Sequence, residues 1–218
     1  MRKTGRKRLI AGICFIAAFA VWTVLVKNID VRPIGPNGSL VGFAAVNEYV
    51  HKLFGVNMLL YSVTDWLGLV PIFVAFSFAV LGLVQLIKRK SLLCVDRSIL
   101  LLGVFYVFVA TGYVLFESVA INYRPILING CLEASYPSST TLLVLCVMPT
   151  ALMQLRGRMN GYRLRALVTL TVIIFTVFMV IGRILAGVHW ITDILGGAML
   201  SCGLVCLYSF GVEFFKEK

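Results

Sequence analysis

The length of its apolar stretches constrains this chain more than any other feature of the sequence. Six stretches follow one another, and each approaches the roughly 20 residues that a membrane-spanning helix needs. Unpaired backbone groups are so costly in hydrocarbon that only helices or a closed barrel can span it, and none of the stretches alternates with the period of two typical of barrel strands. The sequence therefore predicts an all-α, polytopic membrane protein with six transmembrane helices. Their approximate bounds are 9–26, 66–87, 98–116, 138–155, 166–182 and 190–212.

Composition supports this interpretation and excludes a soluble domain. Hydrophobic residues make up 60% of the 218 residues and charged residues only 13%, so lipid must solvate most of the chain. Without a long linker, a low-complexity segment or a clear repeat, we expect a single transmembrane domain over residues 1–218.

The basic residues predict the orientation of the chain. Fifteen of the 20 Lys and Arg residues lie in four places, namely 1–8, 88–97, 156–165 and 216–218. With six spans, all four fall on one side, which the positive-inside rule makes cytoplasmic. We therefore expect a multi-pass plasma-membrane protein with both termini in the cytoplasm. A nucleic-acid or anionic-lipid patch is the alternative explanation for the net charge of +11, but short basic loops are ordinary flanks of spans, so no nucleic-acid partner is expected.

The segment 27–62 is the least regular part of the chain. After turn-forming residues, apolar side chains recur at helical spacing from Leu40 to Phe54, with Asn47 and His51 on the opposite face. This pattern predicts an amphipathic helix in the outer interface. The alternative is a lid over an outward-facing site, with His51 close to the chemistry.

Polar residues at membrane depth concentrate near the last span. Arg183, His189 and Asp193 have the spacing Arg-x5-His-x3-Asp, and charged groups at this depth are costly enough to be functional candidates. Asp193 lies four residues after His189, where its carboxylate can fix one ring nitrogen and leave the other as a nucleophile or base. Arg183 offers a fork for phosphate oxygens. The alternative is a His–Asp pair that caps a helix beside an unrelated arginine.

Two other outer segments add candidate anion ligands. The start of the helix after Pro137 has free N–H groups, and Ser138, Ser139 and Thr140 add hydroxyl groups, although a well-capped span would look the same. Arg124 follows the third span and is either a second phosphate ligand or an interfacial anchor. We expect Arg124, Arg183, His189 and Ser138 to converge around one cavity.

The sequence predicts no cofactor and no metal site. Cys202 and Cys206 lie one helical turn apart, but two thiols without a neighbouring histidine or carboxylate are more often small packing residues than metal ligands.

In these residues the chain resembles the type-2 phosphatidic acid phosphatase superfamily, membrane lipid phosphate phosphatases related to vanadium haloperoxidases. The family has three motifs, which read Lys-x6-Arg-Pro, Pro-Ser-Gly-His and Ser-Arg-x5-His-x3-Asp. Here they appear in the same order as Glu117-x6-Arg124-Pro125, Pro137-Ser138-Ser139-Thr140 and Gly182-Arg183-x5-His189-x3-Asp193.

The resemblance implies a metal-independent phosphohydrolase of phosphorylated membrane lipids. His189 would attack phosphorus and form a phosphohistidine, and Asp193 would orient its ring. The phosphoryl oxygens would be held by Arg124, Arg183, Ser138, Ser139 and Thr140.

Three departures from the motifs bear on this mechanism. Gly182 replaces a serine, Glu117 replaces a phosphate-binding lysine, and Thr140 replaces the histidine that protonates the leaving oxygen. A threonine hydroxyl is no acid near neutral pH. The candidates for a surrogate acid are Glu117, Glu133, Asp65 and His51, and the sequence does not rank them.

The function expected from the sequence is a lipid phosphate or pyrophosphate phosphatase at the extracytoplasmic face. A leaving phosphate ester needs no proton, so a polyprenyl pyrophosphate such as undecaprenyl pyrophosphate suits a site without the acid. The alternative is a catalytically impaired family member that binds or helps to transport phosphorylated lipids.

Overall fold

The computed structural model of the protein describes residues 3–216, except for the side chain of Lys216. Helices dominate this part of the chain, and eight of them are α-helices. They are α1 (Lys3–Asn28), α2 (Ala44–Phe54), α3 (Met58–Leu67), α4 (Leu69–Arg89), α5 (Arg97–Ser118), α6 (Ser139–Arg156), α7 (Tyr162–Leu185) and α8 (Ile191–Lys216).

Six helical segments within residues 3–216 are long and apolar enough to cross a membrane. The predicted all-α architecture with six transmembrane helices is therefore confirmed. α1, α5, α6, α7 and α8 each form one segment, and α3 and α4 together form the sixth.

The second span begins earlier than the sequence pattern predicted. It runs from Met58 to Arg89, whereas the apolar stretch placed it at 66–87. The backbone is interrupted at Gly68, where a Cβ atom would lie 2.8 Å from the carbonyl oxygen of Asp65. Pro71 follows in the first turn of α4, where its missing N–H is tolerated. The interruption hides the continuity of the span in the sequence and leaves Asp65 in the part of the span that precedes the break.

The predicted amphipathic helix is α2, and a polar residue, not its apolar residues, packs on the protein. Its polar residue Asn47 is buried and hydrogen-bonds the Thr192 hydroxyl over 3.0 Å, whereas Val46 and Leu53 are more than half exposed. The side with Asn47 therefore lies on the protein and these apolar side chains are exposed, as suits an interfacial helix. The helix ends at Phe54, before Gly55 with φ of 66°.

The first and last helices pack together along their length. A Cβ at Gly12 would lie 2.8 Å from the Leu207 side chain, and one at Gly203 would lie 2.8 Å from that of Ile16, so small residues let the backbones approach. An ion pair of 2.9 Å between Arg8 and Glu213 joins their ends. We call the end of the bundle that contains this ion pair the terminus end. The opposite end carries α2 and the α5–α6 and α7–α8 connections, and we call it the site end.

Candidate active site

His189 lies in the short connection between α7 and α8 and is almost fully buried. Gly187 makes this connection possible: its φ is 65°, and a Cβ there would lie 1.9 Å from the Gly55 carbonyl oxygen. The connection therefore packs directly on the one between α2 and α3. This packing fixes the backbone that carries the imidazole.

Asp193 is held at the start of α8 by several contacts. Its Oδ2 lies 3.8 Å from Nδ1 of His189, too far for a hydrogen bond but close enough for electrostatic contact. The same carboxylate accepts hydrogen bonds from the Trp190 N–H over 2.9 Å and from the Asn122 amide over 3.3 Å. It therefore caps the helix and faces the imidazole at once. Asn122 was not among the predicted site residues, although a buried asparagine beside Arg124 was a usable signal.

Arg124 is brought to His189 by a hairpin-like connection between α5 and α6. Its Nη1 lies 3.4 Å from Nε2 of His189, and its Nε lies 3.0 Å from a carboxylate oxygen of Glu133. The hairpin turns at Asn129-Gly130, both with positive φ, and places Glu133 opposite Arg124. This Asn-Gly pair is a sequence signal for a hairpin, which the prediction from motifs did not include.

Glu117 lies at the end of α5 and does not pair with Arg124. Had α5 persisted, Glu117 would have shared a face with Arg124, but the helix ends at Ser118 and Arg124 pairs with Glu133 instead. Glu117 is exposed and lines a small pocket together with Ser139 and His189.

Arg183, in the last turn of α7, is a deeply buried charge of the site, with 2% of its surface exposed. Its Nη2 donates to Oδ1 of Asp65 over 3.0 Å and to the hydroxyl of Thr140. Its Nε and Nη1 are buried without a hydrogen-bond partner. Buried donors without partners are costly, so this guanidinium is prepared for a ligand that the protein itself does not supply.

The two arginines converge on Tyr61, which the sequence did not single out. The guanidinium carbons of Arg124 and Arg183 lie 6.0 and 5.2 Å from the centroid of its ring, so they are at most about 11 Å apart. Both guanidinium groups therefore border the same region, where a phosphoryl group can contact them.

The start of α6 forms another wall of the site. Leu142 makes the first intrahelical hydrogen bond, to the carbonyl of Ser138, so the N–H groups of Ser139 and Thr140 precede the helical ladder and are available to an anion. The N–H of Ser138 is already used by the carbonyl of Asp193. Its hydroxyl accepts a hydrogen bond from Thr141 over 3.0 Å and keeps its own proton for a ligand.

The electrostatic surroundings keep the His189 ring neutral. Burial lowers its pKa well below the ordinary 6.5, and the charges of Arg124 and Arg183 lower it further. A neutral imidazole has a free ring nitrogen, which is the form that acts as a nucleophile near pH 7. His51 lies on the other side of this region, with its ring 5.5 Å from that of Trp190, and burial lowers its pKa too.

The thiols and carboxylates offer no grouping suited to a metal ion within the described residues. Cys202 is exposed and Cys206 is half-buried, on the part of α8 that packs in the bundle.

Comparisons with known proteins were made at the level of sequence and of fold. Residues 113–215 match the sequence profile of the PAP2 superfamily. Curated protein sequences give no significant match. Among solved structures, the chain is similar to a transmembrane PAP2-type phosphatidylglycerolphosphate phosphatase from Bacillus subtilis, with a TM-score of 0.62 and 21% identity over 95% of this chain and 96% of that one. At this level of identity, the likeness is one of fold.

Proposed function

We propose that the protein hydrolyses a phosphate or pyrophosphate group of a membrane lipid, because residues 113–215 match the PAP2 superfamily and the fold is similar to that of a PAP2-type phosphatase. The observation that carries this proposal is the buried Arg183, whose Nε and Nη1 have no partner beside the neutral ring of His189. A tetrahedral oxyanion supplies the acceptors that these donors lack.

In the proposed reaction, Nε2 of His189 attacks phosphorus and forms a phosphohistidine. Arg124, Arg183 and the first N–H groups of α6 hold the phosphoryl oxygens, whose negative charge is the main thing that phosphoryl transfer must stabilise. Asp193 opposes Nδ1 and stabilises the positive charge that the ring acquires. We expect no metal requirement, because these cations supply the charge, and full activity in excess chelator is the corresponding test.

The leaving group determines which lipid this site suits best. A monoester such as phosphatidic acid expels an alkoxide, which needs a proton, and Thr140 cannot provide one. A lipid pyrophosphate expels a phosphate monoester, whose second pKa is near 6 and which departs without a proton. We therefore propose a polyprenyl pyrophosphate, such as undecaprenyl pyrophosphate, as the preferred class of substrate.

The central experiment measures phosphate release by the purified protein in detergent from a panel of lipids. The panel contains undecaprenyl pyrophosphate, phosphatidic acid and phosphatidylglycerolphosphate, the substrate named for the structural neighbour. His189→Ala is expected to abolish release while the protein still elutes as a folded species, and Asp193→Asn is expected to cost less. Hydrolysis by His189→Ala at the wild-type rate would exclude the phosphohistidine.

A second measurement addresses the leaving group. The wild-type protein should turn over the pyrophosphate about 10²–10⁴-fold faster than phosphatidic acid, which is the usual contribution of general acid catalysis. Thr140→His should raise the rate with phosphatidic acid selectively. Equal rates with both lipids in the wild-type protein would contradict the proposed preference.

We further propose that the site faces outward, because the basic residues of the α4–α5 and α6–α7 connections lie at the opposite end of the bundle. Cys131 at the site end and Cys94 at the terminus end are both exposed, so thiol labelling in intact cells can report on each. A membrane-impermeant reagent should modify Cys131 and spare Cys94. The reverse pattern would place the site in the cytoplasm.

One observation favours the second candidate, a non-catalytic protein that binds or helps to move phosphorylated lipids. Each arginine already has a carboxylate partner, Glu133 for Arg124 and Asp65 for Arg183, and these carboxylates compete with a phosphate. Saturable binding of the lipids without any phosphate release, in a protein that retains its fold, would support this candidate instead.

A further inference from the structure

Asp65 occupies a position in the site that no motif assigns to it. Its Oδ1 and the hydroxyl of Thr140 both accept a hydrogen bond from the same nitrogen, Nη2 of Arg183. Two oxygens that share one donor lie no more than about 6 Å apart, twice the length of an ordinary hydrogen bond. Asp65 is therefore a carboxylate close to the place where the family's proton-transferring histidine is replaced by a threonine.

A second departure from the motifs lets Asp65 reach this place. Gly182 stands where the third motif has serine, and a Cβ there would lie 2.7 Å from Cγ2 of the fully buried Thr64. Without a side chain at 182, α3 can pack closely against α7. The next residue on α3, Asp65, then contacts Arg183, which also contacts Thr140.

The two arginines contact different groups of the site, and His189 belongs to the group around Arg124. Nε2 of His189 lies beside Arg124, whereas Asp65 and Thr140 lie beside Arg183. Attacking and leaving groups lie roughly in line at a transferring phosphoryl group, so a group that enters or leaves does so away from Nε2 of His189, and Asp65 and Thr140, which contact the other arginine, are candidates to receive it. Water that hydrolyses the phosphohistidine has to approach from this direction.

We propose that Asp65 is the general base that activates this water, an inference that rests on the proposed function. The water oxygen forms a bond to phosphorus while the phosphorus–Nε2 bond breaks and its electron pair returns to the imidazole. The water proton passes to the Asp65 carboxylate. The side chain of Asp65 is 56% exposed, so the proton then leaves to solvent and phosphate is released.

This assignment fits the expected substrate preference. A carboxylate paired with Arg183 is an acceptor, so it assists water but does not protonate an alkoxide. In the pyrophosphate reaction, the lipid monophosphate leaves without a proton in the first step, and a base activates water in the second step. A site with Asp65 and without the motif histidine suits both steps.

The other candidates for proton transfer are placed less suitably. Glu133 is bound to Nε of Arg124, in the group that contains His189. Glu117 lines a pocket with His189 and Tyr113 and does not share a donor with Thr140. His51 faces His189 across a separate pocket and packs on Trp190.

Asp65→Asn is the variant that tests the proposal. It keeps an oxygen that can accept from Arg183 but removes the base. With a polyprenyl pyrophosphate labelled in its terminal phosphate, we expect steady-state turnover to fall about 100-fold or more, at the low end of general-base effects. The first turnover should remain fast, with a burst of one equivalent of lipid monophosphate and an accumulating alkali-stable phosphoenzyme. Asp65→Glu should restore part of the turnover.

Glu133→Gln is the matched control, because it removes the corresponding carboxylate from the other arginine. It should not accumulate phosphoenzyme. If Asp65→Asn slows the burst and the steady state equally, Asp65 only positions Arg183 and the proposal is wrong. Unchanged turnover would overturn it as well. If the wild-type protein forms neither phosphate nor phosphoenzyme with any lipid, the proposed function itself fails, and this inference fails with it.

Discussion

The two ends of the bundle each contain a cluster of buried polar side chains, and the clusters differ in how completely their atoms are paired. At the terminus end, Gln154 donates to the Ser98 carbonyl and the Tyr208 hydroxyl, and its own oxygen accepts from Arg158. Asp96 nearby accepts from Gln85, Arg89 and Arg158. At the site end, Arg183 and His189 retain buried nitrogen atoms without partners.

This difference separates polar groups that hold the fold together from polar groups that await a ligand. A satisfied buried network stabilises one packing arrangement, and its loss leaves partners unpaired. Unsatisfied donors lower the stability of the free protein, and a protein keeps them only where a bound molecule completes them. The comparison predicts that equivalent substitutions at the two ends affect different quantities.

The largest effect is expected for Arg183→Gln. Loss of one donor to a charged transition state typically lowers kcat about 10²–10³-fold, and we expect that range for phosphate release from the preferred lipid. The melting temperature in detergent should not fall, because two unpaired buried nitrogens are removed as well. Unfolding of the variant under the assay conditions would show that Arg183 serves the fold instead.

The second-largest effect is expected when an anion binds at the site end and stabilises the protein. Saturating orthovanadate or phosphate, at about 100 times its Kd, should raise the free energy of unfolding by about 2.7 kcal/mol in the wild-type protein. Arg183→Gln should lose most of this gain in a thermal-shift measurement. Equal stabilisation of both proteins would mean that the anion binds elsewhere.

Gln154→Leu should produce the opposite pattern from Arg183→Gln. It leaves the buried hydroxyl of Tyr208 without its partner, and we expect a loss of about 1–3 kcal/mol in the free energy of unfolding. The kcat of the folded fraction should stay within about twofold of wild type. A selective fall in kcat with no change in stability would break the distinction between the two ends.

The smallest effect is expected for the dependence of stability on pH. The folded pKa of His189 lies below its unfolded value of about 6.5, so the unfolded chain binds more protons in acid. His189 therefore contributes a stability that is complete above pH 6.5 and declines by up to about 1.4 kcal/mol per pH unit below it, until the folded pKa is reached. Denaturation of the wild-type and His189→Gln proteins between pH 5 and 7 measures this slope. Indistinguishable slopes would contradict the neutral, buried imidazole.

Much of the fold followed from local features of the sequence. The number and type of spans depend on runs of apolar residues, which are local and cumulative, so all six were predicted. The start of the second span was predicted too late, because the break at Gly68 and Pro71 interrupts the pattern. For α2, periodicity showed that two faces exist but not that the polar face with Asn47 packs inward, since lipid and protein can each cover an apolar surface.

The site was predictable where its residues are close in sequence and less so where they are distant. The spacing of Arg183, His189 and Asp193 indicated a common site, and these residues do lie together with Arg124. The contact between Arg183 and Asp65 joins residues 118 positions apart, and no local pattern encodes it. It depends on the close packing of α3 on α7, which becomes visible only in three dimensions.

The pairing of α1 with α8 has a consequence for how the protein is made. Synthesis proceeds from the N-terminus, so α1 is made well before its glycine-mediated partner helix, α8. Trp22 of α1 donates to the carbonyl of Thr192 in α8, and the neighbouring Thr23 contacts the Tyr136 hydroxyl. The contacts of α1 at the site end are therefore complete only after α8 has been made. Until α8 has been made, lipid or quality-control factors must cover the face of α1 that packs on α8. A chain that stops before α8 should therefore insert but be degraded rapidly, which pulse-chase labelling of the shortened chain would measure.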